Sequence, residues 1–449
     1  MTDQNLYIQD TIVASASAAG IGGINIIRVS GPATEMVAKI ILGEIPQARV
    51  ATYKKFLNEK KDLLDMGVAI YFPAPESFTG ESILELHAHG GSVIGANLIQ
   101  AIISLGVRYA DAGEFSKRAY LNGKIDLIQA EAIADLISSG TKQAAKAAMN
   151  SLSGAFSDTL NDLNEQLIYL RLFVEAAIDF PEEELDFLSD NKLLKHLDIC
   201  ERSFHKAQGS IQQGQILNDG LKIAIIGLPN AGKSSLLNLI SGQDTSIVTN
   251  IAGTTRDIIK SQVDIDGLRV EFIDTAGLRD NPDIIEAEGI KRTNEVIKSV
   301  NLALWVHDAS SSKPFLANNL PPDIPSIVVY NKIDLIELEQ ECTDNQKEYL
   351  YLSASTGKGL NKLYAAIKKS VGYQNAGEGT FTARERHVEA ISIAIKHFFN
   401  GKNALIKDQA GEIFAEEMKL SQEALGKITG KITSDDLLGK IFSEFCIGK

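Results

Sequence analysis

Long apolar runs are missing from this sequence. The longest, such as Leu302 to Val306 and Ile327 to Tyr330, are strand-sized, far short of the roughly 20 residues a membrane-spanning helix needs. The N-terminus carries Asp3 and Asp10 and no basic segment of a secretory signal, so the expectation is a cytoplasmic protein with no membrane partner. Cysteine is scarce too: Cys200, Cys342 and Cys446 are spaced too widely for a disulfide framework or a metal-ligand pattern. Basic charge is in deficit, with 44 Lys and Arg against 58 Asp and Glu and a net charge of -14. Such a chain is a poor indiscriminate binder of nucleic acid, because that attraction scales with the phosphates neutralised. An RNA partner must meet a local basic surface or arrive through another protein. No stretch is apolar-poor enough to stay disordered, at 44% apolar and 23% charged residues overall.

What is present is a chain of 449 residues, enough for roughly three domains of ~150 residues. The first part mixes short apolar strands (Ile24 to Val29, Met66 to Phe72, Ile83 to His87) with one clear helix, Ser92 to Leu105, closed by Gly106. From Met149 the residues Leu152, Phe156, Leu160, Leu163, Leu167, Leu170 and Val174 repeat at spacings of three and four, a helical seam ended by Pro181. A second helical stretch runs from about Asn191 to Ile211, and helical spacing returns at Val388, Ile391, Ile395 and Phe398. The last helix opens with Thr433 and Asp436 in capping-box spacing and carries Leu438, Ile441, Phe442 and Phe445 on one side. Neither amphipathic segment can bury its apolar face alone, which favours one bundle interrupted by an inserted domain. Two separate helical modules are the alternative.

The inserted part carries the chemistry. Apolar Leu221 to Ile226 runs into GLPNAGKS, Gly227 to Ser234, and then into the helix Leu236 to Ile240. Strand, glycine-rich loop and helix in that order make a Walker A context. The glycines let backbone N–H groups close around phosphates, Lys233 reaches the outer phosphates, and the Ser234 hydroxyl ligates magnesium. Asn230, Ala231, Gly232 and Ser235 complete this part of the GTP-binding set. Downstream is DTAG: Asp274 supports magnesium, Thr275 and Ala276 follow, and the Gly277 N–H can meet the outermost phosphate. Between them lie Thr249, Asn250, Ile251, Ala252, Gly253 and Thr254, with Thr255 as the second magnesium-side hydroxyl of a switch loop.

Asn331, Lys332 and Asp334 in NKID choose the base. The Asp334 carboxylate accepts from guanine N–H groups that adenine does not offer, so GTP is favoured over ATP. Ser353, Ala354 and Ser355 sit where this superfamily supplies a backbone N–H to the guanine oxygen. Ras-like GTPases orient the attacking water with a Gln after the DTAG-type motif, but here Leu278 stands there. Arg279, Glu286 and Glu288 are the candidates for that task, on a segment that also reads as a solvated acidic face. His87 and His89 share one strand face with no third metal ligand in view. Trp305 reads as a core strand residue, and Cys446 as either a nucleophile or an inert thiol.

GLPNAGKS, IAGTTRD, DTAGLR, NKID, the segment GEFSKRAYLNGKIDLIQAEAIADLI (Gly113 to Ile137) and the terminal CIGK together resemble the bacterial and organellar tRNA-uridine modification GTPase family, TrmE/MnmE, over essentially the whole chain. The resemblance implies a multidomain α/β plus α fold. Residues 1–122 would be a tetrahydrofolate-binding, dimerising α+β domain, 123–216 and 375–449 a discontinuous helical domain, and 217–374 an inserted Ras-like P-loop G domain. It implies a homodimer that works with an FAD-dependent partner, GidA/MnmG. Together they add an aminomethyl or carboxymethylaminomethyl group at C5 of the wobble uridine of certain tRNAs. The one-carbon donor would be 5-formyl- or methylene-tetrahydrofolate, held by Arg28, Glu85, Lys124 and Lys449. The family's potassium site resembles Asn230 with Thr249, Ile251 and Thr254, and its water-orienting carboxylate resembles Glu286. Two departures touch the N-terminal domain: Ile21 stands where the family often has a charged residue, and Ala112 replaces the usual proline before Gly113. A ribosome-assembly or signalling GTPase of the Era/Der type is the competing reading. The acidic charge and the lack of a recognisable GxxG clamp speak against it.

Overall fold

The computed structural model describes residues 10–18, 20, 22–179, 191–243, 260–274, 300–311, 324–336, 349–373, 379–431, 435–443 and 445–448. They group into two compact units, Met1–Ala134 with Gly426–Lys449, and Asp135–Leu425.

In the first unit, β1 (Ile12–Ser15), β2 (Ile24–Ser30), β3 (Thr52–Leu57), β4 (Leu63–Phe72), β5 (Ile83–His89) and β6 (Arg108–Tyr109) form a sheet of order β3-β4-β5-β2-β1-β6. All pairings are antiparallel except β1 with β6. Successive side chains alternate between faces: Ile27, Val29, Leu84 and Leu86 enter a core with α1 (Thr34–Leu42) and α2 (Ser92–Ile103), while Arg28 and Glu85 do not. The expectation of a single helix here is therefore corrected by α1, whose buried Val37, Ala38, Ile41 and Leu42 repeat at helical spacing. The same unit holds α3 (Glu114–Leu121), the first part of α4 (Leu127–Ser138), and α12 (Asp435–Ser443). Leu438, Ile441, Phe442 and Phe445 are buried against Leu127 and Ala130, as their one-sided spacing requires. Burial of each such side chain contributes about 1.5–3 kcal/mol before ordering costs. Thr433 lies outside the described residues, as does the Asp436 side chain.

In the second unit, α5 (Lys142–Leu152), α6 (Ala155–Asp179) and α7 (Asn191–Asp219) pack with α10 (Glu385–Asp408) and α11 (Gly411–Thr429). The seam read as one helix from Met149 is two helices. Gly154 takes a left-handed φ of 101°, which ends α5 and leaves Met149 exposed. Phe156, Leu160, Leu163, Leu167, Leu170 and Val174 are buried along α6. The next helix runs on past Ile211 to Asp219. Helix α11 was not anticipated, although Phe414, Met418, Leu425 and Ile428 are buried at helical spacing. The Phe156 ring stacks on Phe381 at 4.2 Å and 6° and meets the edge of His387 at 5.2 Å. Phe204 meets Phe398 at 5.1 Å. Residues from both sides of the inserted domain thus share one bundle, and the alternative of two separate modules is set aside.

The inserted domain is a sheet of order β12-β11-β10-β7-β9-β8. Its strands are β7 (Leu221–Ile226), β8 (Lys260–Ile265), β9 (Leu268–Asp274), β10 (Leu302–Asp308), β11 (Ser326–Asn331) and β12 (Tyr349–Tyr351), with helices α8 (Lys233–Gln243) and α9 (Leu360–Ser370). Only β8 runs antiparallel. The strands β7, β10 and β11 are mostly apolar because the middle of a parallel sheet is covered on both faces. Strand β7 has β9 on one side and β10 on the other, and a reversal of strand order of this kind opens a crevice at the strands' C-terminal ends.

Replacing Phe156 by Ala removes the ring that joins the two halves of the bundle and is expected to destabilise it by about 3–5 kcal/mol. Urea denaturation followed by far-ultraviolet circular dichroism measures this, and a loss under about 1 kcal/mol would contradict the central placement of that ring.

Candidate functional site

The loop after β7 is built on close approach. A Cβ at Gly227 would lie 2.2 Å from the Val306 carbonyl oxygen, and one at Gly232, where φ is +87°, would lie 2.2 Å from Asn331 Nδ2. Only glycine fits at either place. Asn230, at the exposed tip, also takes a left-handed φ of 65°. Lys233, only 8% exposed, turns its Nζ back to donate to the Gly227 and Leu228 carbonyls, each at 3.0 Å. Ala231 is buried, and Ser234 and Ser235 are exposed on the first turn of α8, where free backbone N–H groups and the helix dipole favour an anion.

Asn331, at the end of β11 and 1% exposed, joins this loop to the base-reading segments. Its Nδ2 donates to the Ala231 carbonyl at 3.0 Å, and its Oδ1 accepts from the Lys332 N–H at 2.8 Å and the Ala354 N–H at 2.9 Å. The Ala354 N–H, one of the groups in the segment expected to serve the guanine oxygen, is thus engaged by Asn331. Asp334 stands in the short 3-10 turn Ile333–Leu335. Its Oδ1 accepts from the Ser353 hydroxyl at 2.6 Å and its Oδ2 from the Ser355 hydroxyl at 3.0 Å. Those hydroxyls, Ser353 foremost, hold the carboxyl below its usual range. An ionised acceptor with spare lone pairs is what the N–H edge of guanine needs.

In the N-terminal unit, Arg28 and Glu85 are cross-strand partners on β2 and β5. Arg28 Nε donates to Glu85 Oε1 at 2.9 Å, and the guanidinium lies 5.6 Å from the Phe78 and Phe115 ring centres. Lys124 is placed differently: its stem lies by Gly80 and its Nζ stands 3.9 Å from Glu76 Oε1. His87 Nε2 is 3.5 Å from Glu85 Oε2, while His89 pairs with Asp65 at 2.8 Å. The segment Cys446 to Gly448 lies beside the end of β1 in the same unit. Ile447 bridges Ala112, the residue standing in place of the usual proline, and the Gly113 N–H donates to the Cys446 carbonyl at 3.4 Å. Gly448 has φ +96°, and a Cβ there would lie 1.9 Å from the Ser15 carbonyl oxygen. Ser15 adjoins Ala14, the strand partner of Arg28.

Comparison with known proteins then decides the family. Residues 127–446 match the family model of the MnmE helical domain, and residues 11–124 match that of the GTP-binding protein TrmE N-terminus. The tRNA modification GTPase MnmE of Hydrogenovibrio crunogenus is 48% identical over 445 residues, covering 98% of this chain and 99% of that one. Those of Coxiella burnetii, 47% identical over 447 residues, and Psychromonas ingrahamii, 49% identical over 450, cover the same shares. The chain belongs to the MnmE family. MnmE family membership accounts at once for the N-terminal unit, the bundle and the inserted G domain.

Part of the MnmE-like residue set lies outside the described residues: Thr249, Asn250, Ile251, Ala252, Gly253, Thr254, Thr255, Thr275, Ala276, Gly277, Leu278, Arg279, Glu286, Glu288 and Lys449, with the Asp274 side chain. Two features went unread in the sequence. Arg118, 1% exposed, pairs with Asp10 at 2.6 Å, Glu114 at 2.9 Å and Glu81 at 3.0 Å; its only signal was an arginine amid the apolar positions of α3. Asp308 lies outside every motif. Of the thiols, Cys446 is exposed, whereas Cys200 is buried and burial pushes it up to about 12, which makes it inert at neutral pH.

The seating of the tail has a direct check. Gly448→Ala puts a methyl group into the Ser15 carbonyl and should lift Cys446 to Gly448 off this seat, raising amide hydrogen exchange at Gly113, whose N–H donates to the Cys446 carbonyl. Wild-type exchange at Gly113 would refute this seating.

Proposed function

We propose that the chain hydrolyses GTP and, with an FAD-dependent partner of the GidA/MnmG type, adds an aminomethyl or carboxymethylaminomethyl group to C5 of the wobble uridine of certain tRNAs. The observation that carries the nucleotide part is the clamped Asp334 carboxylate, fixed by Ser353 and Ser355. Guanine offers two donors to it, whereas adenine offers none at that edge. The modification part is supported by near-full-length similarity to proteins named tRNA modification GTPase MnmE.

In this reading the loop Gly227 to Ser234 and the N-terminus of α8 bind the phosphates, and Lys233 neutralises the outer ones. Ser234 fits magnesium, since its hydroxyl is exposed on the first turn of α8; Thr255 and Asp274 would share the ion. When bound, the metal neutralises charge that develops on the phosphate oxygens. Glu286 orients the attacking water in place of the missing Gln. Arg28 and Glu85, a preformed pair beside two aromatic rings, suit the donors and acceptors of a pteridine. With Lys124 and Lys449 they form the proposed site for 5-formyl- or methylene-tetrahydrofolate, and Cys446 is the thiol next to it. We retain the division into 1–122, 123–216, 217–374 and 375–449, and a homodimer through the first of these.

Asp334→Asn reverses the donor pattern. GTP affinity is expected to fall about tenfold or more and xanthosine triphosphate affinity to rise; unchanged GTP binding would refute the assignment. The full reading is tested by nucleoside mass analysis of tRNA from a deletion strain, where modified wobble uridine that persists without the gene would exclude it.

An arginine finger supplies ~10³ to 10⁵ in rate, and no arginine in this sequence is compelled to that task. Asn230, exposed at the loop tip, is the proposed ligand for a potassium ion that replaces it. Hydrolysis should be strongly stimulated by potassium and rubidium, little by sodium, and not at all in Asn230→Ala. Equal rates in sodium and potassium chloride would point to a protein-supplied charge.

A further inference from the structure

Asp308 ends β10, in register with Asn331 on the neighbouring strand. One carboxylate oxygen accepts from the Ser310 N–H at 2.9 Å and from its hydroxyl at 2.6 Å. The other oxygen holds Lys332 Nζ at 2.7 Å. Lys332 starts from a left-handed backbone, φ +67°, a conformation that a residue with a Cβ adopts only at a cost. Its side chain passes the phosphate-binding loop: a Cβ on Gly232 would lie 3.8 Å from Lys332 Cε. The lysine therefore stretches from the base-reading turn, past Gly232, to the end of β10, where Asp308 fastens its far end.

We infer that Asp308 is a positioning residue for guanine-nucleotide binding, holding the Lys332 side chain across the G-domain crevice as a preformed wall beside the base and sugar. This deepens the GTP reading above and rests on it. A free lysine loses rotamer entropy when it is ordered, and fastening it in advance removes part of that cost from binding. A half-exposed ion pair contributes little Coulombic stability by itself, so the effect lies in where the lysine is held. The Lys332 ammonium, with Ser310, lowers the Asp308 carboxyl to about 2. A lowered carboxylate contributes at every pH above its usual range and loses its contribution only as pH falls toward 2, so the clamp is fully charged at neutral pH.

The bonds to Ser310 also close the turn after β10, and a purely structural role would rest on those alone. The test is a double-mutant cycle on the full-length protein, with dissociation constants for fluorescent GDP and GTP and with kcat and KM for hydrolysis. Asp308→Asn keeps the shape and an acceptor for Ser310 but removes the charge. It should weaken binding about three- to tenfold with kcat unchanged, and Asp308→Glu should recover part of the loss. Lys332→Met should weaken binding as well, and adding Asp308→Asn to it should cost nothing further. Ser310→Ala should bind as wild type. Wild-type affinity in a folded Asp308→Asn, or losses that multiply in the double variant, would overturn the inference while leaving the base-reading assignment intact. A wild-type protein with no preference for GTP over ATP would overturn both.

Discussion

The second unit depends on one constraint: the helices before the G domain cannot bury their apolar faces without those that follow it. Phe156 needs Phe381, and Phe204 needs Phe398. Ser151 and Thr382 add a buried bond, with the Thr382 N–H donating to the Ser151 hydroxyl at 2.9 Å. Because these contacts close a loop of chain, the G domain enters and leaves through neighbouring points. At its entry Gly220 has φ +73°, and a Cβ would lie 2.8 Å from the Arg269 carbonyl oxygen. Arg269 Nη2 donates to the Asp219 carbonyl at 2.9 Å. The Thr141 hydroxyl caps α5 by accepting from the Ala144 N–H and donates to the Gly267 carbonyl at 2.8 Å. The turn between β8 and β9 is thus fastened to the bundle, while the far end of β9 is Asp274, one of the proposed magnesium-side residues. The β8–β9 hairpin spans the distance between them.

Within the G domain, a comparable economy centres on the Asn331 amide. A buried carboxamide must satisfy donors and acceptors or be destabilising, and this one does so by bonding its own following N–H and two other segments, at Ala231 and Ala354. The phosphate loop and the base-reading turns therefore hold one another in place. The base end is held by the chain's own groups: Asp334 carries two hydroxyl donors and Lys332 is tied to Asp308.

What was legible in the sequence was chemistry fixed by local backbone. A glycine-rich loop between a strand and a helix needs no tertiary knowledge, and NKID follows an apolar strand that could only be buried. The apolar face of the last helix was equally plain, since Leu438, Ile441, Phe442 and Phe445 lie on one side. The break at Gly154 was hidden because Leu152 and Phe156 keep helical spacing across it, so periodicity alone ran two helices together. Helix α11 was overlooked because Ser421 interrupts its apolar positions; the structure buries that hydroxyl as a donor to the Ala394 carbonyl at 2.9 Å. Asp308 and Gly448 were beyond reach for a different reason. Their partners, Lys332 and Ser15, are brought to them by sheet register and chain packing, which no spacing rule encodes.

The phosphate end contrasts with the base end. Lys233 is nearly excluded from solvent, and its ammonium donates to the Gly227 and Leu228 carbonyls within the phosphate loop. The loop N–H groups and the first turn of α8 add further positive potential at the same place. Negative charge arriving there meets the positive potential of the loop and the helix, whereas guanine arriving at Asp334 meets a carboxylate already held by two hydroxyls. Phosphate charge therefore supplies strength that any nucleotide shares, and Asp334 supplies the difference between guanine and adenine. Since Asn331 bonds both halves, loosening either one reaches the other through a single side chain.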